Sequence, residues 1–460
     1  MDNEIKTNTI GKDFTLKQLA KFVAAPVLTR LLVSVFQTLD DSLFISRYCG
    51  QNALAAFSVA LPWFMLVDAV SMLCGAVSIS CSIKMGQKKQ EEAKSDFTTM
   101  CIITFCVGLV FTLILTLFRD KILVILGETP ALLPYAKQYM DVSRFYAPLV
   151  LLSAVFNNFY VISGKPKCSM YVNVIQTFCN IFFDWLFIVK LNTGIVGAAY
   201  ANAIGFACVV LFGLIFFSDK RREMCFGKPH NNIKPLLKSV FRLGRTQAIT
   251  SIAISLHSFI VNNVMLGLAG EQLVAAHTIV NNVFFMFLNS LFGLVGATSP
   301  IISYAFGEKN SKRLTKTVKQ VAILIGVLIV IIACIYFFGR NIIISLYLKE
   351  GSAEEVRQMA DYGMKVAPFA FIFIAYNVFI QDFFNACANT KVATTLSVIE
   401  NVILSNLSVI ILPRIFGVTA IWYTLLVVEF ITFFFSAESL YKSRYLYGFN
   451  AEGIATFTDK

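Results

Sequence analysis

Long apolar runs separated by short polar breaks set out the plan of this chain. A helix that crosses a bilayer needs about 20 mainly apolar residues. Twelve stretches read as such helices: residues 18–44, 53–82, 98–118, 142–163, 169–189, 195–217, 243–267, 273–304, 320–338, 366–387, 393–413 and 417–440. The runs are too long for strands and lack strand alternation. Basic residues then orient them. One set of breaks holds Lys84, Lys88, Lys89 and Lys94, then Lys165 and Lys167, then the block from Lys220 to Arg245, then Lys309 to Lys319. The opposite set is poorer, with Arg47, Arg119, Lys190 and Arg340 among its few cations, and none around Gly270-Glu271, which reads as an outside turn. The alternation and the even count predict that both termini face the cytoplasm.

The pattern also occurs twice. Gly50-Gln-Asn-Ala-Leu-Ala-Ala56 returns as Gly270-Glu-Gln-Leu-Val-Ala-Ala276, and Gly86-Gln-Lys-Lys89 as Gly307-Glu-Lys-Asn310. Tyr146-Ala-Pro148 returns as Val366-Ala-Pro368, and Gly194-Ile-Val-Gly-Ala-Ala-Tyr200 as Gly417-Val-Thr-Ala-Ile-Trp-Tyr423. The expected fold is an all-α integral membrane protein, with twelve transmembrane helices in two pseudo-symmetric six-helix lobes. Residues 1–217 form the N-terminal lobe, 218–240 a charged cytoplasmic linker, and 241–460 the C-terminal lobe and cytoplasmic tail. Six helices per half gives both halves the same orientation, with a pseudo-two-fold along the membrane normal and substrate expected between the lobes.

Composition agrees. Hydrophobic residues make up 57% of the chain and charged residues 14%, against about a quarter in soluble domains. The net charge of +12 lies in the short loops, so it reads as topology and not as a nucleic-acid surface. The eleven cysteines are scattered, without metal-ligand spacing, as small apolar side chains are. No secretory signal is read in the polar N-terminus, and the cytoplasmic (inner) membrane is the expected location. Thr129-Pro130 and Ser352-Ala-Glu-Glu355 resemble helix starts.

Ionisable side chains within spans are costly and mark pathways by default. The candidates are Arg30, Asp40, Asp41, Asp68, Asp184, Asp382, Glu400 and Glu429. Asp40 and Asp41 adjoin Gln37 and Thr38 near the end of the first span. Asn180 and Asp184 are four apart and share a helix face, which Asn173, Gln176 and Thr177 extend. Asp41, Asn180 and Asp184 together offer carboxylate and amide oxygens that can hold a proton or Na⁺. At the repeat offset the carboxylates face Val261 and Ser408, so the second half lacks this pair. Arg30 needs a partner, and Asp68 is the simplest choice for a structural ion pair. Glu400 and Glu429 are read as lining the second half of the cavity, where acids and aromatic walls suit cationic amphiphiles; Phe284-Phe-Met-Phe287 supplies either adaptable wall or a packing surface. His257 and His277 read as packing residues, and His230 as an inert loop residue. Pro26 can bend the first span. No GxxxxGK[ST], HExxH or GxSxG occurs, so neither an enzyme nor ATP-driven transport is expected.

These residues resemble the multidrug and toxic compound extrusion (MATE) family over nearly the whole chain. The most specific segments are Asp41-Ser-Leu-Phe-Ile-Ser-Arg-Tyr-Cys-Gly50, Lys84-Met-Gly-Gln87 and Ser299-Pro-Ile-Ile-Ser-Tyr-Ala-Phe-Gly307. The resemblance implies export of organic cations and other drugs, driven by inward H⁺ or Na⁺. Asp41 falls on the family's first-span acid, and Asn180 and Asp184 on the fifth-span motif of its DinF-like branch. Ile254 and Ile374 stand where the NorM-like branch has acids, with Asp382 displaced. The Asp40 doublet, Glu400 in a place often basic, and Ser163-Gly-Lys-Pro-Lys167 depart from the pattern. The alternative is a related flippase for lipid-linked saccharides, disfavoured because Arg30 is the only deep arginine. The expected partners are small organic cations and the lipid bilayer, with no nucleic acid and no cofactor beyond H⁺ or Na⁺, in a monomer.

Overall fold

The computed structural model describes residues 9–37, 44–126, 132–230, 232–347, 354–449 and 455–457. Every regular element among them is helical. Among the described residues nine helices are long and apolar enough to cross a membrane, and a tenth is reached if the pair Leu133–Ser143 and Ala147–Ile162, bent by 53°, counts as one span. Pro148 sits in the first turn after that bend, where its missing N–H costs nothing. The carbonyl of Arg144 at the break instead accepts a bond from the Thr112 hydroxyl at 2.7 Å. The remaining two predicted spans are also helical, in Leu16–Gln37 and in the first part of Lys234–Gly307. All twelve apolar runs therefore lie in helix where described, and the protein is an all-α, multi-pass membrane protein.

One expectation fails locally. Gly270-Glu271 was to be a turn, yet the backbone is helical without interruption from Lys234 to Gly307. A straight helix of that length would reach about 110 Å, far beyond the ~30 Å hydrocarbon core. Two spans are thus joined through helical residues, and Val261, Met265 and Leu273 share one core cluster with Val409 and Ile421. The segments at Thr129-Pro130, Ser352 and Asp40-Asp41 lie outside the described residues.

The chain divides into two compact units, residues 1–12 with 28–244 and residues 13–27 with 245–460. Assignment of 13–27 to the second unit has visible causes. Lys316 pairs with Asp13 at 2.7 Å, and Gln320 donates to the carbonyl of Phe14 at 2.9 Å. Membership changes just past Pro26, inside the first helix. In the first unit Phe97, Phe156, Tyr160, Phe217 and Phe226 form an aromatic core. The linker is pinned to this unit: Phe226 stacks on Phe97, and Gly227 and His230 donate backbone N–H groups to Thr98 and Thr99. In the second unit Tyr447, 1% exposed, packs on Phe383 and Phe384.

The duplication extends to backbone turns. Four helices end in the paired bonds of a Schellman motif, with the C′ residue at positive φ. Lys88 and Lys309 have φ +63° and +56°; Gly164 and Ala388 have φ +68° and +58°. In each, the C′ N–H reaches back three residues and the next N–H five, as in Lys165 to Tyr160 and Asn389 to Phe384. Gly194 and Gly417, also at positive φ, begin the sixth and twelfth spans.

Candidate functional site

In the first unit the polar stripe of the fifth span, Pro166–Lys190, faces its neighbours on both sides. Asn173 donates to Asn157 on the fourth span at 2.8 Å, and Ser169 donates to the same oxygen at 3.1 Å. Asn180 donates to Asn202 on the sixth span, Ile195–Ser218, at 3.4 Å. Thr177 returns its hydroxyl to the carbonyl of Asn173. Gln176 lies along Gly205, where an added Cβ would come within 3.4 Å of its Cγ. Asp184, 0% exposed, closes the stripe at the start of a six-residue π-helical turn, Trp185–Lys190. Such wide turns are rare and concentrate at functional sites. The stripe was legible from spacing. Its partners Asn157 and Asn202 were not, because neutral amides in apolar runs carry no charge signal.

Asp40 and Asp41 lie outside the described residues, as does the side chain of Gln37. Arg30 and Asp68 lie within electrostatic range. They do not form the expected direct ion pair: among the described residues no salt-bridge contact joins them, and Asp68 instead accepts from the Ser71 hydroxyl at 3.1 Å.

The second unit holds more chemistry than its sequence suggests. Glu400 and Glu429 are 4% and 2% exposed and within electrostatic range of each other. Gln381 on the tenth span, Glu354–Ala386, donates to Glu400 at 2.6 Å. Asn377, one turn earlier, donates to the carboxylate and the backbone carbonyl of Glu429, each at 2.9 Å. Glu400 lies within another π-helical turn, Val398–Leu404. These acids are too enclosed to meet a bulky amphiphile directly as cavity lining. Asp382 accepts from Ser299. His257 contacts Asn406 at 3.3 Å and His277 lies against Trp422, as packing residues do. Phe284 and Phe287 pack on Phe371 and Tyr336 within the unit, so half of that run is core, and Phe285 is exposed.

His230 is not inert. Its Nε2 lies 2.8 Å from Asp96, which is 2% exposed and pairs with Lys84 at 2.7 Å. The linker is fastened there to the N-terminal end of the third span, Gln90–Ile125.

The MatE family model matches residues 26–186 and again 247–410, so the two matches fall on the two repeats. A multidrug export protein, MepA, of Staphylococcus haemolyticus is 24% identical over 422 residues, covering 91% of this chain and 92% of that protein. MepA of Staphylococcus aureus is 24% identical over 410 residues, covering 88% and 89%. A multidrug resistance MATE family transporter solved in an outward-facing conformation superposes with a TM-score of 0.85 at 18% identity, over 96% of this chain and 99% of that one. A transporter of the same superfamily from Pyrococcus furiosus, described as having a binding pocket of reverse polarity, gives 0.82 at 19%, over 96% and 99%. At such identity these structures speak for the fold, and the two family matches, covering most of the chain, settle its kinship: the protein belongs to the MATE family of membrane transporters.

Proposed function

We propose that this protein is a cation-coupled antiporter of the cytoplasmic membrane. It exports cationic amphipathic compounds by alternating access, with both termini in the cytoplasm. The observation that carries the reading is Asp184. A fully buried carboxylate stands at a π-turn, on the same helix face as Asn180, inside a membrane span. A buried acid is tolerated in a span where it binds and releases something. Binding of H⁺ or Na⁺ at Asp184, Asn180 and Asp41 would change the relative stability of outward- and inward-open states. Only such differential binding can drive exchange. The multidrug export proteins among the relatives support a drug-like substrate.

The test is efflux of a fluorescent cationic dye from proteoliposomes under an imposed pH or Na⁺ gradient. Export should follow one of the two gradients and be lost in Asp41→Asn and Asp184→Asn. Undiminished gradient-driven export in both variants would refute the coupling assignment.

A further inference from the structure

The polar groups around Glu400 and Glu429 continue beyond them. On the tenth span Asn377, Gln381 and Asn385 recur every fourth residue and so share a face. On the twelfth span, Val418–Lys442, Glu429, Thr432 and Ser436 lie three and four residues apart and also share a face. Asn377, Thr432 and Ser436 are 0% exposed and Asn385 is 3%. Among the described residues the Asn377 and Asn385 Oδ1 atoms and the hydroxyls of Thr432 and Ser436 have no hydrogen-bond partner. Burying such atoms unpaired costs about 1–3 kcal/mol each. Both rows run toward the same end of the unit, where the tenth span ends at Ala386 and the twelfth at Lys442, the end expected to face the cytoplasm.

Packing does not require this arrangement. Aligned on Gly194 and Gly417, the first repeat has Phe206, Val209 and Gly213 in place of Glu429, Thr432 and Ser436. Counted from Gly164 and Ala388, Asn157 and Gln176 stand in place of Gln381 and Glu400. The same scaffold is thus filled without carboxylates. Among the described residues no cation pairs with either carboxylate. Glu400 is flanked by Gln381 and Asn401, and Glu429 by Asn377 and Glu400. The titratable groups on neighbouring elements, Asp382 with its Ser299 bond and His257 with Asn406, contact neither. Two enclosed carboxylates without a cation between them cannot both ionise cheaply. The enclosure leaves no place for an organic cation but does admit a proton.

We propose that Glu400 and Glu429 form a second proton-binding site, contained within the C-terminal unit, which exchanges with the cytoplasm along the Asn377–Asn385 and Thr432–Ser436 rows. The carboxyl O–H bond would break as its proton passes to the oxygen of Thr432 or Ser436, and that hydroxyl would release its own proton onward toward the cytoplasm, so that one proton leaves the row for each that enters. Any part in coupling rests on the antiporter reading; binding itself does not.

The experiment is infrared difference spectroscopy of the purified full-length protein, titrated across neutral pH in H₂O and D₂O. The wild type should show a protonated-carboxyl band that the Glu400→Gln/Glu429→Gln double variant loses. Should that variant not fold, Glu429→Gln alone must alter the titration of the band. In Thr432→Val/Ser436→Ala the band should remain but exchange with deuterium more slowly. A spectrum unchanged by both glutamate variants overturns the site, and unchanged exchange overturns the path. Loss of the band on adding Na⁺ at fixed pH overturns the proton as occupant. Wild-type protein that shows the band but exports no dye under any gradient would sink the antiporter reading and leave the site standing.

Discussion

Ala388→Gly should stabilise the protein, although it deletes a methyl group. Ala388 is the C′ residue of a Schellman turn at φ +58°, where a Cβ crowds the following carbonyl and costs about 1–2 kcal/mol. Its repeat partner, Gly164 at φ +68°, avoids that cost. Glycine gives back about 0.5–1 kcal/mol through the freedom it loses on folding, and the half-buried methyl contributes little packing. The net gain is about 0.5–1 kcal/mol, with the sign fixed by the left-handed backbone. For a unit of this size that raises the melting temperature by about 1–4 °C. The adjoining Cys387 is free and 3% exposed, so in a background with the other ten cysteines replaced a thiol-reactive fluorophore reports unfolding of detergent-solubilised protein at this turn. The reciprocal Gly164→Ala should lower the midpoint by a comparable amount. A lowered midpoint in Ala388→Gly, or an unchanged one in Gly164→Ala, would refute the claim that the two repeats share this strained turn.

Gly108→Ala should destabilise by about 1–3 kcal/mol, because the new Cβ would lie 2.3 Å from the Cα of Pro148 and backbone cannot step aside; thermal unfolding in detergent reads this. Asp96→Asn should cost about 2 kcal/mol, below the ~3–5 kcal/mol of a fully buried broken pair, since Lys84 is 26% exposed and can reach water. The same variant should free residues 223–230 for limited proteolysis, and an unchanged cleavage pattern would deny that Asp96 fastens the linker. Gln381→Leu should impair folding or ion binding more than Asn157→Leu, because only the former strips a donor from a buried carboxylate; yields of monodisperse protein compare them.

Much of the fold was legible because membrane spans advertise themselves through length and hydropathy. The turn at Gly270-Glu271 was misread for a physical reason. A break between two apolar runs without Lys or Arg reads as an outside turn, but such a connection can itself be helical, as it is here from Lys234 to Gly307. Asn180 and Asp184 were found together because helical spacing puts them on one face. Asn157, Asn377 and Gln381 were passed over because each looks unremarkable within its own run. Their role comes from what another span places opposite them, and sequence order does not reveal that. Asp96 and His230 are 134 residues apart, and nothing local to either announces the contact.

The comparison of repeats separates scaffold from chemistry more sharply than the acids alone do. The Schellman turns recur in pairs, even where one partner is alanine, because backbone hydrogen bonds define them and side chains do not. The π-turns do not recur. Counted from Gly164 and Ala388, the π-turn Trp185–Lys190 corresponds to residues in the regular helix Ser405–Phe416, and the π-turn Val398–Leu404 to residues in the regular helix Pro166–Asp184. Were these wide turns a consequence of the duplicated fold, they would fall at matching places. Each instead adjoins an acid its counterpart lacks: Asp184 stands opposite Ser408, and Glu400 opposite Gln176. The two acids lie eight positions apart in the shared register, about 12 Å along a helix axis. An irregular turn in a membrane span must still satisfy its backbone groups internally; the carbonyl of Glu400 accepts from the backbone N–H of Ser405 and, at 2.8 Å, from its hydroxyl. Such turns stand at different depths beside Asp184 and Glu400, while a third, Ile45–Cys49 in the first repeat, contains no acid. At Asp184 and Glu400 the distortion therefore follows the chemistry and not the ancestry of the fold.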